Sequence, residues 1–304
     1  MHARLPRLGV VAQGESATTR GLVRACTRLG VEGVVLTPER ALAELGPADA
    51  ALGRLDVRRT LDGVERGLWE LRVLEREGVR VLNPASALVA THDKLATAAR
   101  LAAAGVPHPR TVEVGPVAIA PPLVLKPRFG SWGLDVFLCE DECELAAALA
   151  RLDRACPWFH SAGAVAQELV PPTGRDLRAV VAGASIVGAV ERIAPPGEWR
   201  TNVALGAARR PAEPPADACG LAIAAVAAVG ADLAGVDLMR LPDGGWTVLE
   251  VNGAVDFTRL YRRESDVFEA AVEALLDSGS PPLSRNATQR LPIGRSAGRT
   301  FGSV

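Results

Sequence analysis

Asp237, Glu250 and Asn252 are spaced to hold a divalent cation. Gly235-Val236-Asp237-Leu238-Met239 and Trp246-Thr247-Val248-Leu249-Glu250-Val251-Asn252 are apolar runs separated by Pro242-Asp243-Gly244-Gly245, which reads as a hairpin. Residues two apart on a strand share a face, so Glu250 and Asn252 point the same way, and the turn brings Asp237 opposite them. Carboxylates on a buried strand are costly without a partner. A small set of oxygens, completed by phosphate and water, suits Mg²⁺. An exposed polar sheet face is the alternative reading of the same residues.

Lys94 and Lys126 are the only lysines among 304 residues, beside 32 arginines. Lysine is a compact point charge and arginine a planar fork, so a lysine kept against such a bias suits a phosphate in a narrow site. Chance survival on a solvated face is the other reading, and the surroundings of Lys126 weigh against it. Lys126 ends the strand Leu123-Val124-Leu125-Lys126 and is followed by Gly130-Ser131-Trp132-Gly133. Glycines there let backbone amides approach phosphates. The loop lacks the Gly-Lys-Ser/Thr ending of a Walker loop and is a weak signal alone. Arg178, Arg192 and Arg200 lie in or just after a second hairpin at 176–192, at positions that suit an anionic ligand such as a phosphoryl group. His92, beside Asp93, reads as a capping or surface residue; Arg54 and Arg58 could meet an acidic donor, with surface charge the safer reading.

These residues need a scaffold. Short apolar strands near 8–12, 33–36, 48–52 and 79–83 alternate with helical stretches, which argues for a small parallel α/β unit over 1–88. A helix is expected over 93–104, stopped by Gly105, Pro107 and Pro109. Residues 89–170 form a central lobe and 171–278 a second lobe carrying the cation ligands. Residues 279–304, with four arginines and no acid after 280, read as a disordered basic tail. The net charge of −1 argues against nucleic acid as a partner. No signal peptide and no membrane span are expected, and the five scattered cysteines complete no metal or disulfide pattern. The chain is expected to be cytoplasmic and a homo-oligomer.

The order of parts resembles the ATP-grasp carboxylate–amine ligases of the RimK/LysX type. The motifs are Asp93-Lys94-Leu95-Ala96-Thr97, Lys126-Pro127-Arg128-Phe129-Gly130-Ser131-Trp132-Gly133, Gln167-Glu168-Leu169, Asp176-Leu177-Arg178, Trp199-Arg200-Thr201-Asn202, Gly235-Val236-Asp237 and Leu249-Glu250-Val251-Asn252. The resemblance is strong over about 80–278, architectural over 1–79 and absent from the tail.

The resemblance implies an α/β protein of α+β lobes, an ATP-grasp fold preceded by a small Rossmann-like parallel domain. It implies ATP and Mg²⁺ as cofactors, with Mn²⁺ as a substitute. Lys94 and Lys126 would reach the phosphates and the adenine side, and Gly130, Ser131, Trp132 and Gly133 would cover the phosphates. Glu168 and Leu169 would hold adenine by backbone groups, with Asp176 near the ribose. Arg178, Arg200, Thr201 and Asn202 would complete the nucleotide site, and Asp237, Glu250 and Asn252 the metal site. Arg192 and Arg200 would stabilise the transferring phosphoryl and an acyl phosphate. The partners implied are an amino-acid or other carboxylate substrate and a small acidic carrier protein or peptide. Leu169 replaces a frequent aromatic and Ile193 a frequent arginine, which puts adenine stacking in doubt and shifts charge stabilisation towards Arg200. Asp256-Phe257 reads either as a substrate contact or as an ordinary turn and core pair. A kinase, an ATPase or a silent nucleotide-binding regulator on the same fold is the rival reading.

Overall fold

The computed structural model describes residues 7–57, 67–115, 119–130 and 132–277. Ser131, Arg58 and the 279–304 tail fall outside the described residues.

The chain opens with β1 (Arg7–Val11), α1 (Ala17–Arg28), β2 (Glu32–Leu36), α2 (Pro38–Glu44), β3 (Ala50–Gly53), α3 (Leu68–Arg76) and β4 (Arg80–Leu82). The four strands pair in parallel in the order β2-β1-β3-β4, as the alternation of apolar strands and helices predicts. Ser16 starts α1: its Oγ accepts from the Thr19 amide at 3.1 Å, and the Thr19 hydroxyl oxygen accepts from the Ser16 amide at 2.8 Å. β1 connects to β2 on one side and its neighbour β3 to β4 on the other, so the connections leave the carboxyl ends of β1 and β3 in opposite directions. That fork is where open α/β sheets bind ligands.

Asn83 follows β4 in the left-handed region, with φ 49, and is fully buried. Its amide side chain donates to Leu233 O and Gly253 O and accepts from the Asp232 and Leu233 amides. One side chain thus ties the parallel sheet to the far end of the chain. The helix expected over 93–104 is preceded by another: α4 (Ala85–His92) and α5 (Lys94–Ala103) meet at Asp93. Asp93 breaks the run because its Oδ1 caps α5 at the Leu95 amide, while the same carboxylate binds Arg128.

The central lobe holds β5 (Thr111–Glu113), β6 (Leu123–Pro127), β7 (Phe137–Cys139), α6 (Glu142–Ala155), α7 (Pro157–Ala162) and β8 (Ala164–Glu168). Its antiparallel sheet runs β5-β8-β6-β7 and packs Leu123, Leu125, Cys139, Leu152 and Ala164 into a core of its own. The last lobe contains β9 (Arg175–Ala182), β10 (Ser185–Ile193), β11 (Ala208–Pro211), α8 (Ala216–Val229), β12 (Leu233–Arg240), β13 (Trp246–Asn252) and α9 (Val267–Asp277). Its sheet runs β11-β10-β9-β12-β13, and both hairpins expected from the sequence are present.

β9 is apolar at consecutive positions because both its faces are covered. Ala179 and Val181 meet α8 and α5, whereas Val180 and Ala182 join a core shared with β1, α1 and α9. The parallel unit and the last lobe are therefore one hydrophobic body. No helix among the described residues is long and apolar enough to cross a membrane.

Candidate active site

A cleft between the central lobe and the last lobe gathers most of the residues that the sequence singles out. Lys126 sits at the end of β6 with its ammonium buried, donating to Gln167 Oε1 at 2.8 Å. Burial and the nearby Lys94 lower its pKa to about 8, against the opposing pull of Glu250 and Asp237. Lys94 is the first residue of α5; its Nζ donates to Gly130 O at 2.7 Å and lies 3.8 Å from Glu250 Oε1. Both lysines therefore face one cleft.

The glycine loop roofs the cleft. Gly130, Trp132 and Gly133 all have positive φ, of 125, 72 and 72. A Cβ on Gly133 would stand 2.6 Å from Asn202 Oδ1 at a φ of 72, so a larger residue there is strained and must displace the Asn202 side chain. Arg200 reaches across from the last lobe and donates to Gly133 O at 3.0 Å. Glu198 holds that arginine through Nε and Nη2 at 2.9 and 2.8 Å, and these bonds, with the backbone amides of 199 and 200, keep the Glu198 carboxyl down at about 2. Leu169 lines the cleft beside Glu168. The Glu168 amide is already committed to Arg110 O, so an adenine contact from that N–H is ruled out and Leu169 is the better placed of the two.

The arginines depart from the expected arrangement, because each is held by a carboxylate of the protein. Arg192, buried, donates to Asp176 from Nε at 2.7 Å and from Nη2, and its Nη2 also lies 2.9 Å from Asp237 Oδ2. Arg178 makes a two-bond fork to Asp237, at 2.6 Å to each oxygen. Burial alone would raise Asp237; Arg178 and Arg192 outweigh it and hold the carboxyl below its usual range. Asp176, expected near a ribose, is buried and also accepts from Thr201 Oγ1 at 2.6 Å. Arg178 borders a neighbouring cavity and not the cleft itself.

The residues expected to hold a cation come together as the hairpin geometry requires. Asp237 pairs with Glu250 and Gly235 with Asn252, but Leu238 pairs with Val248, leaving Leu249 as a bulge. The bulge re-aims Leu249 and Glu250 so that both line the cleft. Glu250 is half-buried and free of short ion pairs, whereas Asp237 is shared with two guanidiniums. The Asn252 amide nitrogen is buried with no partner among the described residues. A phosphate oxygen would satisfy it while Oδ1 faced a cation. This donor set fits Mg²⁺ carried in with phosphates.

Some residues at the site carry no sequence assignment as ligands. Gln167 is a polar residue on the apolar strand β8, and Glu198 stands two positions before Arg200; both spacings were readable signals. His92 is half-buried at the end of α4 with Nδ1 2.8 Å from Leu88 O, in keeping with the capping alternative, whereas Arg54 is buried and is not surface charge; both line the neighbouring cavity. Phe257 is core, stacked on Phe268 at 4.9 Å between ring centres, while Asp256 faces the cavity.

The RimK-like ATP-grasp domain matches residues 87–273, a span that contains the lysines, the loop, the arginines and the residues expected to hold a cation. The chain belongs to the RimK-like ATP-grasp family. It is an ATP-grasp ligase, with the α/β fold that the resemblance implied. Similar proteins include the glutamate–LysW ligase ArgX of Sulfurisphaera tokodaii, 30% identical over 69% of this chain and 78% of that protein. A probable alpha-L-glutamate ligase of Stutzerimonas stutzeri is 28% identical over 88% of this chain and 94% of its own. A RimK-domain ATP-grasp protein of Sphaerobacter thermophilus superposes with a TM-score of 0.62 at 25% identity, covering 89% of this chain and 99% of the other.

Proposed function

We propose that this ligase uses ATP and Mg²⁺ to activate a carboxylate as an acyl phosphate and passes it to the amine of an amino acid, releasing ADP and phosphate. Glutamate is the first amine to test, because the relatives are named glutamate ligases. The carboxylate belongs to a small molecule, a peptide or a small acidic carrier protein. The observation that carries the reading is the junction of two cavities. Arg192, Asn202 and Glu250 border both the nucleotide cleft and a second cavity of about 460 Å³, which has room for substrates beside the γ-phosphate.

In this reading Lys94 and Lys126 neutralise the phosphates, and the amides of Gly130 and Gly133 close over them. Asp237, Glu250 and Asn252 would hold Mg²⁺, which when bound would neutralise charge on the transferring group. Arg192 and Arg200 face negative charge that grows during transfer, where fixed guanidinium forks contribute most. Each is presented by a protein carboxylate, so its position is set before substrate arrives. No residue need form a covalent intermediate.

Hydroxylamine tests the reaction class. With ATP, Mg²⁺ and a panel of glutamate, α-aminoadipate, glutamyl peptides and an acidic carrier peptide, an active preparation should yield a hydroxamate. Arg192→Lys keeps a charge beside Asp176 and Asp237 but loses the fork; it should bind ATP near normally and form at least tenfold less hydroxamate. Steady ADP release with no hydroxamate or amide from any carboxylate would establish a kinase or ATPase instead.

A further inference from the structure

The cavity of about 460 Å³ has a second charged wall, which the phosphoryl chemistry leaves unused. Arg54 follows β3, at the fork between the carboxyl ends of β1 and β3. Its side chain is only 4% exposed. Nη2 donates to Ala254 O at 3.1 Å and to Val255 O at 2.6 Å, and stands 3.3 Å from Asp256 Oδ1. Nε is buried and has no hydrogen-bond partner among the described residues. Arginine does not discharge in proteins, so it cannot relieve that cost by losing a proton. A buried guanidinium whose one ion pair among the described residues is with a solvent-exposed aspartate is a group built for an incoming anion.

The surroundings say which anion. Ser16 lines the same cavity at the N-terminal end of α1, an end that favours negative charge. His92 Nδ1 lies 2.8 Å from Leu88 O, an atom that only accepts, so this nitrogen carries a proton and Nε2 looks towards Asp56 at 3.6 Å. Glu15, Asp56 and Asp256 also line the cavity and disfavour a ligand of dense negative charge such as a second phosphate. The opposite wall holds Arg192, Glu250 and Asn252, where the acyl phosphate would form. A molecule bridging the two walls needs a carboxylate at one end and an amine at the other.

We propose that Arg54 binds a carboxylate of the amine-bearing amino acid, fixing that substrate at the fork of the parallel sheet with its amine towards the acyl phosphate. The proposal rests on the ligase reading and adds to it the residue that recognises the acceptor.

Titration calorimetry on the full-length protein saturated with ADP and Mg²⁺ tests this with L-glutamate, glutamine and isoglutamine as probes. In the wild type, one of the two monoamides should bind on the order of 10–100-fold more weakly than glutamate, the scale of one charge-assisted contact. Arg54→Gln should weaken glutamate by a similar factor and no longer separate glutamate from that monoamide, with ADP affinity unchanged. Arg54→Lys keeps the charge without Nε; it should show the same loss and serves if Arg54→Gln does not fold. Equal glutamate binding by wild type and variants, a parallel loss of ADP affinity, or no binding of any probe to the wild type would overturn the proposal. Hydroxamate formation by the wild type reports separately on the ligase reading, which survives if the Arg54 inference alone is wrong.

Discussion

Asp237 and Glu250 face each other across β12 and β13 and are proposed for the same task, yet their surroundings predict very unequal effects on stability. Asp237 accepts from Arg178 through both oxygens and from Arg192, inside a buried cluster. Asp237→Asn removes the charge that two buried guanidiniums share. Breaking a buried pair from one side costs about 3–5 kcal/mol, equivalent to a fall in melting temperature of roughly 5–15 °C. Among the described residues Glu250 makes one loose ion pair, with Lys94 at 3.8 Å, and its side chain is 27% exposed. Glu250→Gln keeps the shape and loses a loose pair worth less than about 1 kcal/mol. Its turnover should nevertheless fall at least ~10²-fold, the scale for one preorganised electrostatic group. Thermal melting by circular dichroism and coupled ADP release measure both quantities on the same preparations. A Glu250→Gln protein that melts as low as Asp237→Asn, or that turns over near the wild-type rate, would refute the division of roles.

Lys126 sets a pH limit on nucleotide affinity. Its pKa in the free protein is about 8, and phosphates favour the charged form, so ATP binding takes up a proton once the pH exceeds that value. The ATP Kd should be flat below pH 8 and rise about tenfold per unit above it; in Glu250→Gln, which removes one of the charges supporting the ammonium, the break should move to lower pH. A flat Kd to pH 9.5 would remove Lys126 from the phosphates. Gly133→Ala places a Cβ 2.6 Å from Asn202 Oδ1 at a φ of 72. It should raise the ATP KM several-fold with little change in melting temperature, since the loop lies outside the hydrophobic cores; an unchanged KM would show that the loop does not close on nucleotide.

Legibility followed the distance in sequence over which each arrangement is specified. Glu250 and Asn252 share a face because strands alternate, and the turn at 242–245 brings Asp237 opposite; local rules suffice. The bulge at Leu249 depends on register with β12 and gave no local signal. The clamp on Asp237 joins β9 to β12, a pairing that leaps over β10, β11 and α8, so Arg178 read from sequence as a nucleotide ligand and stands instead against a carboxylate. Arg54 shows the same limit more strongly. Its contacts at Ala254, Val255 and Asp256 lie about 200 positions away, and nothing near residue 54 shows that it is buried rather than surface charge. Lys126 was legible because lysine is rare here, a compositional accident that made one charge conspicuous.

The Asn83 tie has a bearing on how such ligases can diversify. Because one buried amide, together with a shared core, welds the parallel unit to the last lobe, a recombination boundary near residue 84 would cut through both. The central lobe keeps its own core and meets its neighbours mainly at the cleft. Exchange between relatives should therefore succeed with the central lobe as the cassette, while the walls of the acceptor cavity, drawn from both ends of the chain, are inherited together. New acceptor preferences in this lineage would then arise by point substitution at those walls, not by swapping the N-terminal unit.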